Sequence, residues 1–385
     1  MAIATSIFWL SLLFVSTKGC HFPAIYNFGD SNSDTGSVSA ALGPLPPPFG
    51  ETFFGQPSGR YSNGRLIIDF FAEKLGVPVL HAYLDSIDPN FRYGANFAAS
   101  GSTILLADGK SIQAGFSFLS LVIQVSEFEQ FKNRTIELYN QVHNAAFPGL
   151  SAKTLKIKSR IPRPEDFSRA LYTLDSGQND IHYALISTPK EQLKAHITNA
   201  TNQFALSTKK LYDDGARAFW IHNTGPLGCL PYFVTNYPPK AGDADQHGCV
   251  KSYNEVAQEF NKRLKEKVSQ LKTLLHDAVF ILTDMYSAKY SLISEAKQHG
   301  FIGPMAYCCG HLGDNPVECG KTAIVNGTQV YGASCSDPAK YISWDGIHYT
   351  DAANHWIANR IIHGSLSDPP IPLIQACDNH IVTQQ

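Results

Sequence analysis

The chain has 385 residues, of which 44% are hydrophobic and 11% aromatic, a composition typical of a folded globular protein with a large core. Its formal net charge is -2, with 31 basic and 33 acidic residues. Nucleic-acid binding needs clustered Lys and Arg in excess, so this charge argues against a nucleic-acid partner.

An apolar run from Ile7 to Val15 opens the chain and ends in small or polar residues before Gly19 and Cys20. The run is too short to span a bilayer and is typical of a signal peptide, although a buried N-terminal strand is the alternative. We predict a signal peptide over residues 1–19 and a single domain over residues 20–385. No later segment is apolar enough to span a membrane, so we expect a secreted protein without integral membrane association.

Four apolar, β-rich runs alternate with long helical stretches, and each run ends in a polar or glycine-bearing loop. The runs cover residues 22–28, 169–174, 216–222 and 278–283. This alternation predicts an α/β fold with a mostly parallel central sheet and helices on both faces. After Cys249, apolar residues recur at helical spacing and are interpreted as core packing: Val256, Phe260, Leu264, Val268, Leu271 and Leu275.

Residues 43–64 are rich in Pro and Gly but too apolar for a linker. We expect this segment to form an ordered loop over the end of the sheet. Its aromatic side chains either line a substrate cleft or pack within the loop, and the sequence leaves both open.

Eight cysteines are consistent with an oxidising compartment, where an even number usually indicates disulfides. Their spacing lacks the paired short intervals of a zinc site, so no metal is predicted. Cys229 and Cys249 flank one loop between a strand and a helix and are predicted to pair. N-glycosylation triplets at Asn133, Asn199 and Asn326 also favour secretion.

Gly29-Asp30-Ser31 follows the first apolar run and places a serine where open α/β sheets carry their chemistry. A serine hydroxyl is a poor nucleophile until a base removes its proton. Near the other end of the chain, Asp345 precedes His348 by three residues, and a single turn can aim this carboxylate at one ring nitrogen. Thr350 then caps a helix. We predict Ser31 as nucleophile, His348 as base and Asp345 as its partner.

An acyl-transfer site also needs hydrogen-bond donors for the tetrahedral oxyanion. Three are predicted: the backbone N–H of Ser31 at a helix start, the backbone N–H of Gly101, and the side-chain amide of Asn179. The missing Cβ of Gly101 permits close approach, and the amide of Asn179 donates without a charge that would compete with His348. Each residue alone is more often a turn or cap residue, so the prediction rests on their occurrence together.

With these blocks, the chain resembles a plant secreted GDSL esterase/lipase of the SGNH hydrolase superfamily from Cys20 to about Cys377. The likeness extends to residues 59–70, 223–231 and 308–310. It implies a three-layer α/β/α, flavodoxin-like fold with no metal or organic cofactor, and it gives Ser31, Gly101, Asn179, Asp345 and His348 the roles described above. Asn32 stands where the family has Leu, and Ser100 replaces the first residue of the usual glycine pair.

The resemblance implies an extracellular hydrolase, in the apoplast or cell wall, that cleaves a small-molecule ester through an acyl-Ser31 intermediate. The sequence contains no long apolar lid segment of the kind that would favour a triacylglycerol lipase. We therefore expect short or medium acyl groups on a metabolite, sugar or lipid. An acyltransferase would use the same intermediate with an alcohol acceptor, and the motifs do not distinguish the two. A binding protein on an inactive scaffold is disfavoured because all five residues are present. The oligomeric state stays open.

Overall fold

The computed structural model describes residues 21–144, 156–311 and 315–377. The predicted signal peptide over residues 1–19, and Cys20, lie outside the described residues. The strands are β1 Ile25–Gly29, β2 Gly94–Asn96, β3 Leu171–Asp175, β4 Ala218–His222, β5 Val279–Thr283, β6 Thr322–Val325, β7 Thr328–Tyr331 and β8 Ser367–Asp368.

Six of these strands form the central sheet in the order β2-β1-β3-β4-β5-β8, and every neighbouring pair is parallel except β5 and β8. The order 2-1-3-4-5 is that of flavodoxin-like sheets. The predicted flavodoxin-like, mostly parallel sheet is therefore confirmed. Its register aligns Gly29, Asp175 and His222, so the carboxyl ends of β1, β3 and β4 meet at one edge.

Helices cover both faces of the sheet. They are α1 Ser37–Leu42, α2 Ile67–Lys74, α3 Gly109–Gln113, α4 Leu121–Asn144, α5 Asp166–Arg169, α6 Gln178–Ser187, α7 Lys190–Asp213, α8 Pro231–Asn236, α9 Lys251–Leu274, α10 Met285–Ser294 and α11 Asp351–Ile362. In one layer α4 packs against α7 and α7 against α9; in the other, α2 packs against α11 and α11 against α10. The three-layer α/β/α architecture is confirmed.

The strand side chains alternate between these two layers, as the period of a β-strand requires. On β4, Phe219 stacks on Phe280 of β5 with ring centroids 4.7 Å apart. The next residue, Trp220, meets Phe71 of α2 at 5.9 Å. All five residues of each of β1, β4 and β5 are buried, which explains why their sequences are largely apolar.

The predicted strand positions agree with the structure to within three residues, but the hairpin of β6 and β7 is not among the predictions. Asn326 and Gly327 form its two-residue turn, with φ of 50° and 78°. Asn-Gly is the strongest short hairpin signal because both residues tolerate positive φ. From the sequence, Asn326 is predicted only as part of a glycosylation triplet. The side chains of Asn133, Asn199 and Asn326 are exposed.

Disulfides connect Cys229 to Cys249, Cys308 to Cys335 and Cys309 to Cys319, and Cys377 is also disulfide-bonded. The first of these is the pair predicted from the sequence. Across the described ranges, no helix combines the length and apolarity needed to cross a membrane.

Candidate active site

Ser31 lies in the turn directly after β1 and not at a helix start, which corrects the prediction. Asp34 accounts for the difference, because its carboxylate accepts from the N–H groups of Gly36 at 2.7 Å and Ser37 at 2.6 Å. These bonds cap the chain only after the turn, so α1 begins at Ser37. The backbone N–H of Ser31 has no acceptor among the described residues.

The turn around Ser31 is shaped by Asp30 and Asn32. The Oδ1 atom of Asp30 accepts from the backbone N–H of Asn32 at 2.9 Å and from its side-chain amide at 2.8 Å. This is the local bonding that favours Asp and Asn in turns. A leucine at this position would have no side-chain amide to donate, so Asn32 adds a bond to this turn.

Asp34 also joins the Ser31 turn to the loop that contains Gly101. Its Oδ2 atom accepts from the backbone N–H of Ser100 at 2.8 Å. Gly101 has a φ of 72°, and a Cβ there would lie 3.1 Å from the backbone nitrogen of Ser117. Both facts favour glycine at this position. Its N–H, like that of Ser31, meets no acceptor in the described part of the chain.

Asn179 lies in the first turn of α6, four residues after the end of β3. Its Nδ2 atom donates to the carbonyl oxygen of Ser102 at 2.8 Å. An amide nitrogen has two hydrogens, so this bond orients the group and leaves a second donor. The next residue, Asp180, accepts from the N–H of Ile104 at 2.8 Å and ties α6 to the same loop.

His348 and Asp345 form a close pair, as predicted. The Nδ1 atom of His348 lies 2.6 Å from Oδ2 of Asp345, and Oδ1 of Asp345 accepts from the backbone N–H of His348 at 2.8 Å. Burial acts to raise the pKa of Asp345, but the His348 charge and these hydrogen bonds outweigh it and lower the pKa. The carboxylate is therefore ionised at neutral pH and assigns the ring proton to Nδ1.

Disulfides brace the loop that precedes His348. Trp344 is fully buried beside the two pairs formed by Cys308 and Cys309, and its carbonyl accepts from the N–H of Cys309 at 2.6 Å. Phe49 packs on Trp344 at a centroid distance of 6.1 Å, and Tyr61 meets the His348 ring at 5.0 Å. The proline-rich loop of residues 43–64 therefore supports this loop; none of its aromatic side chains is among the residues that line the pocket described below.

The motif of residues 59–70 anchors the other side of the His348 loop. Arg60 makes two bonds of 2.8 Å to the buried carboxylate of Asp69. Arg65 bonds Asp351, the first residue of α11, through its backbone N–H at 2.7 Å and its Nε at 3.0 Å. These contacts fix the start of α11, just after His348.

One pocket of about 180 Å³ gathers four of the five predicted residues. Its lining comprises Ser31, Ser100, Gly101, Ala114, Gly115, Phe116, Gln178, Asn179, His182, Tyr232, Phe233, Ile347 and His348. Asp345 lies behind His348, in contact with the ring. Larger grooves of about 490 and 590 Å³ occur elsewhere, but neither contains Ser31 or His348.

A second Asp–His pair lies at the carboxyl ends of β3 and β4. His222 Nδ1 is 3.3 Å from Asp175 Oδ2, and the buried Lys289 places its Nζ 4.8 Å from the ring centroid of Tyr349. Burial and the charge of Asp175 raise the pKa of Asp30 to about 7, while Asn32 and Lys289 oppose them. Neither His222 nor Lys289 lines the pocket.

Gln124 and His182 are not among the residues predicted from the sequence. Gln124 forms hydrogen bonds with the backbone of Gly29. In the sequence, the one sign of its role is that a polar residue occupies the buried face of a long helix. His182 lines the pocket three residues after Asn179, which places it on the same face of α6.

Potential metal ligands approach one another at a single place within the described residues, at Cys229, Asp245 and Cys249. Both sulfur atoms belong to the disulfide, and thiolates are the form that binds metals. Asp245 accepts from the N–H of Cys249 at 2.9 Å and from the hydroxyl of Tyr290 at 2.9 Å. These residues are arranged as a structural link.

Comparison with known proteins decides the family. The family model for GDSL-like lipase/acylhydrolase matches residues 25–361. The chain belongs to the GDSL-like lipase/acylhydrolase family. It is 50% identical to a GDSL esterase/lipase of Arabidopsis thaliana over 94% of this chain and 92% of that relative. As a member of this family it is a hydrolase that acts on ester bonds.

Two further proteins similar to this chain have names that refer to different activities. An Arabidopsis thaliana relative named alpha-L-fucosidase 3 is 44% identical over 94% of this chain and 97% of that protein. Among solved structures, an acetylxylan esterase from Geobacillus stearothermophilus aligns with 89% of this GDSL chain and 94% of that chain, with 11% identity and a TM-score of 0.37.

Proposed function

We propose that the protein is a secreted serine esterase that cleaves neutral esters with short or medium acyl groups through an acyl-Ser31 intermediate. The observation that carries this proposal is that Ser31, Gly101, Asn179 and His348 line one pocket, with Nδ1 of His348 held 2.6 Å from Asp345.

In the first half of the reaction, the Oγ atom of Ser31 attacks the ester carbonyl and its proton passes to Nε2 of His348. The negative charge on the carbonyl oxygen is met by the N–H groups of Ser31 and Gly101 and by Nδ2 of Asn179, each worth roughly 3 kcal/mol of barrier. The tetrahedral species collapses, and His348 gives its proton to the departing alcohol.

In the second half, water attacks the acyl-Ser31 carbonyl and loses a proton to His348. Collapse releases the carboxylic acid and returns the proton to Ser31. Asp345 stays ionised throughout and stabilises the imidazolium that forms in each half.

The size of the pocket supports a compact acyl group. At about 180 Å³ it is smaller than the range of roughly 300–1,000 Å³ typical of drug-sized ligands. A cavity of about 150 Å³ accommodates one benzene ring, so an acyl group of about that size fits within this pocket.

One relative is named alpha-L-fucosidase 3, which raises the question of glycosidase activity. The pocket of this chain does not favour that chemistry. Most glycosidases use two carboxyl groups on either side of the bond that they cleave. The residues that line this pocket, all within the described ranges, include neither Asp nor Glu.

Secretion of this protein is supported by the disulfides between Cys229 and Cys249, Cys308 and Cys335, and Cys309 and Cys319, because such bonds persist in oxidising compartments. The exposed asparagines of the three glycosylation triplets agree with it.

The test is fluorophosphonate labelling and ester hydrolysis by the wild type and by Ser31→Ala, on nitrophenyl esters of graded chain length. We expect labelling of the wild type alone, and a kcat/KM that falls beyond medium chains. Hydrolysis by a folded, unlabelled Ser31→Ala protein would contradict the mechanism. An added alcohol acceptor shows whether the acyl group also passes to an alcohol.

A further inference from the structure

His182 lies in the wall of the proposed acyl-transfer pocket without a role in the proposed chemistry. It is three residues after Asn179 on α6, so the two side chains share a helix face. Both line the pocket that contains Ser31. A group bound at Ser31 and held by Asn179 is therefore also within the enclosure that His182 helps to form.

Three aromatic rings surround the imidazole edge-to-face. The ring centroids of Phe116, Tyr232 and Phe233 lie 5.4, 5.5 and 4.8 Å from that of His182. All three also line the pocket. They form an aromatic wall, which we define as Phe116, His182, Tyr232 and Phe233.

Besides the hydroxyl of Tyr232, which bonds Tyr237, the polar group of this wall is the imidazole, and it has no hydrogen bond to any described residue. Its Nε2 atom is buried without a partner. Burial lowers the pKa of His182 to about 4, so the ring is neutral at physiological pH, with one donor and one acceptor. Buried polar groups in native proteins nearly always have partners, and an unpaired one needs an explanation.

Packing alone does not provide that explanation. A phenylalanine would fill an aromatic wall without an unpaired nitrogen. A contact of an N–H with an aromatic face is weak and would occupy only the donor, leaving the acceptor nitrogen unused. A hydroxyl group on the substrate would supply the missing partner.

The rest of the lining defines the class of that substrate. Of the pocket residues, all of them described, none is Asp, Glu, Lys or Arg, so a charged substituent would lose its hydration without compensation. The volume of about 180 Å³ admits one six-membered ring, and aromatic walls favour ring-shaped groups.

We propose that His182 is a specificity-determining residue that hydrogen-bonds a hydroxyl on a neutral, single-ring group of the ester substrate, packed against Phe116, Tyr232 and Phe233. This proposal rests on the proposed esterase function of Ser31. The substrate class is a small ester whose acyl or alcohol portion is one hydroxylated ring.

The test measures kcat/KM for pairs of esters that differ only in one hydroxyl. The acyl side is probed with methyl benzoate and its 3- and 4-hydroxy forms, and the alcohol side with phenyl acetate and its 3- and 4-hydroxy forms. We expect the wild type to prefer at least one hydroxylated form by about fivefold or more, the effect of one neutral hydrogen bond.

The variant His182→Phe keeps the ring shape and removes both nitrogens, so that preference is expected to fall to about one. His182→Asn, which retains a donor and an acceptor, is expected to keep part of it. The matched control is His196→Phe on α7, a half-buried imidazole whose pKa is also lowered by burial and whose Nε2 is likewise unpaired, but which does not line the pocket.

Loss of the preference in His182→Phe with its retention in His196→Phe supports the proposal. No preference in the wild type, or an unchanged preference in His182→Phe, overturns it while leaving the esterase function intact. A wild type that cleaves none of the esters and resists fluorophosphonate labelling overturns both proposals.

Discussion

The side chain of Gln124 bonds both backbone polar groups of Gly29. Its Oε1 accepts from the Gly29 N–H at 2.9 Å, and its Nε2 donates to the Gly29 carbonyl at 2.8 Å. The same Nε2 lies 2.8 Å from the hydroxyl of Ser102. Gln124 thus links the residue at the end of β1 to the residue after Gly101, and so connects the two loops that present Ser31 and Gly101.

We expect Gln124→Leu to lower the free energy of unfolding by about 2 kcal/mol, because the buried N–H of Gly29 loses its acceptor and cannot reach water, whereas the Gly29 carbonyl still accepts from Ala99. Urea unfolding measures this. The control is Gln141→Leu, which alters an exposed glutamine on the same helix and is expected to change stability by under about 0.5 kcal/mol. Similar small effects in both variants would contradict the role assigned to Gln124.

The stability of the protein is expected to fall as the pH rises through neutrality. Burial raises the pKa of Glu127 to about 7, so between about pH 4.3 and pH 7 the folded state holds a proton that the unfolded state has lost. Stability from this group is therefore present at acid pH and lost as the pH rises through 7. Asp30 and Asp180, each with a pKa raised to about 7, act in the same direction.

Buried histidines act in the opposite direction, but only below the ordinary histidine pKa of about 6.5. Burial lowers the pKa of His182 to about 4, so its effect on stability lies between about pH 4 and pH 6.5 and has ended by pH 6.5. The clearest fall should appear between about pH 6.5 and 8. Melting temperatures of the wild type and Glu127→Gln across this interval test it, and a variant as pH-dependent as the wild type would contradict the assignment to Glu127.

The sequence predicts the central strands well, because a parallel strand buried on both faces is a continuous apolar run. The edge strands β2 and β8, of three and two residues, carry no such signal. Ser31 and His348 could be proposed from the sequence because acyl transfer restricts which residue types can act as nucleophile and base. Gln124 and His182 are not, since their importance depends on contacts with residues far away in the chain.

The Cys229–Cys249 disulfide connects the segment before α8 to the start of α9. It joins residues 20 apart, and a loop of that length stabilises the folded state by about 3 kcal/mol. We expect Cys229→Ser/Cys249→Ser to lose roughly this amount. Because α8 carries Tyr232 and Phe233, KM should also rise. Calorimetry and steady-state kinetics check both effects, and unchanged melting under non-reducing conditions would be inconsistent with this link.

Asp345→Asn is expected to lower kcat by roughly 10³-fold or more, because an amide can hold the His348 ring in the wrong tautomer. The pKa of Asp345 is lowered in the folded protein, so its ionised form also adds stability above about pH 4 that disappears as the pH falls through the folded value. The variant should lose that acid dependence. Kinetics at neutral pH with melting curves from pH 3 to 6 test both, and near-wild-type kcat would remove Asp345 from the proposed catalytic residues.

Asn179→Ala is expected to lower kcat by roughly 100-fold or more with a smaller change in KM, because the amide should bind the oxyanion more strongly than the ground-state carbonyl. The variant also loses the bond from Nδ2 to the Ser102 carbonyl, so its unfolding free energy should fall by about 1 kcal/mol. Stability alone therefore does not separate the two roles of this side chain.

The variant Asn179→Asp distinguishes the proposed oxyanion role of this side chain from its structural role. It keeps the size of the side chain but cannot donate when ionised, and it places a negative charge beside the developing oxyanion. We expect its kcat to fall at least as far as that of Asn179→Ala. Melting temperature and steady-state kinetics are measured on both variants. A destabilised Asn179→Ala protein with wild-type kcat would leave Asn179 as a structural link to Ser102 and remove it from the oxyanion hole.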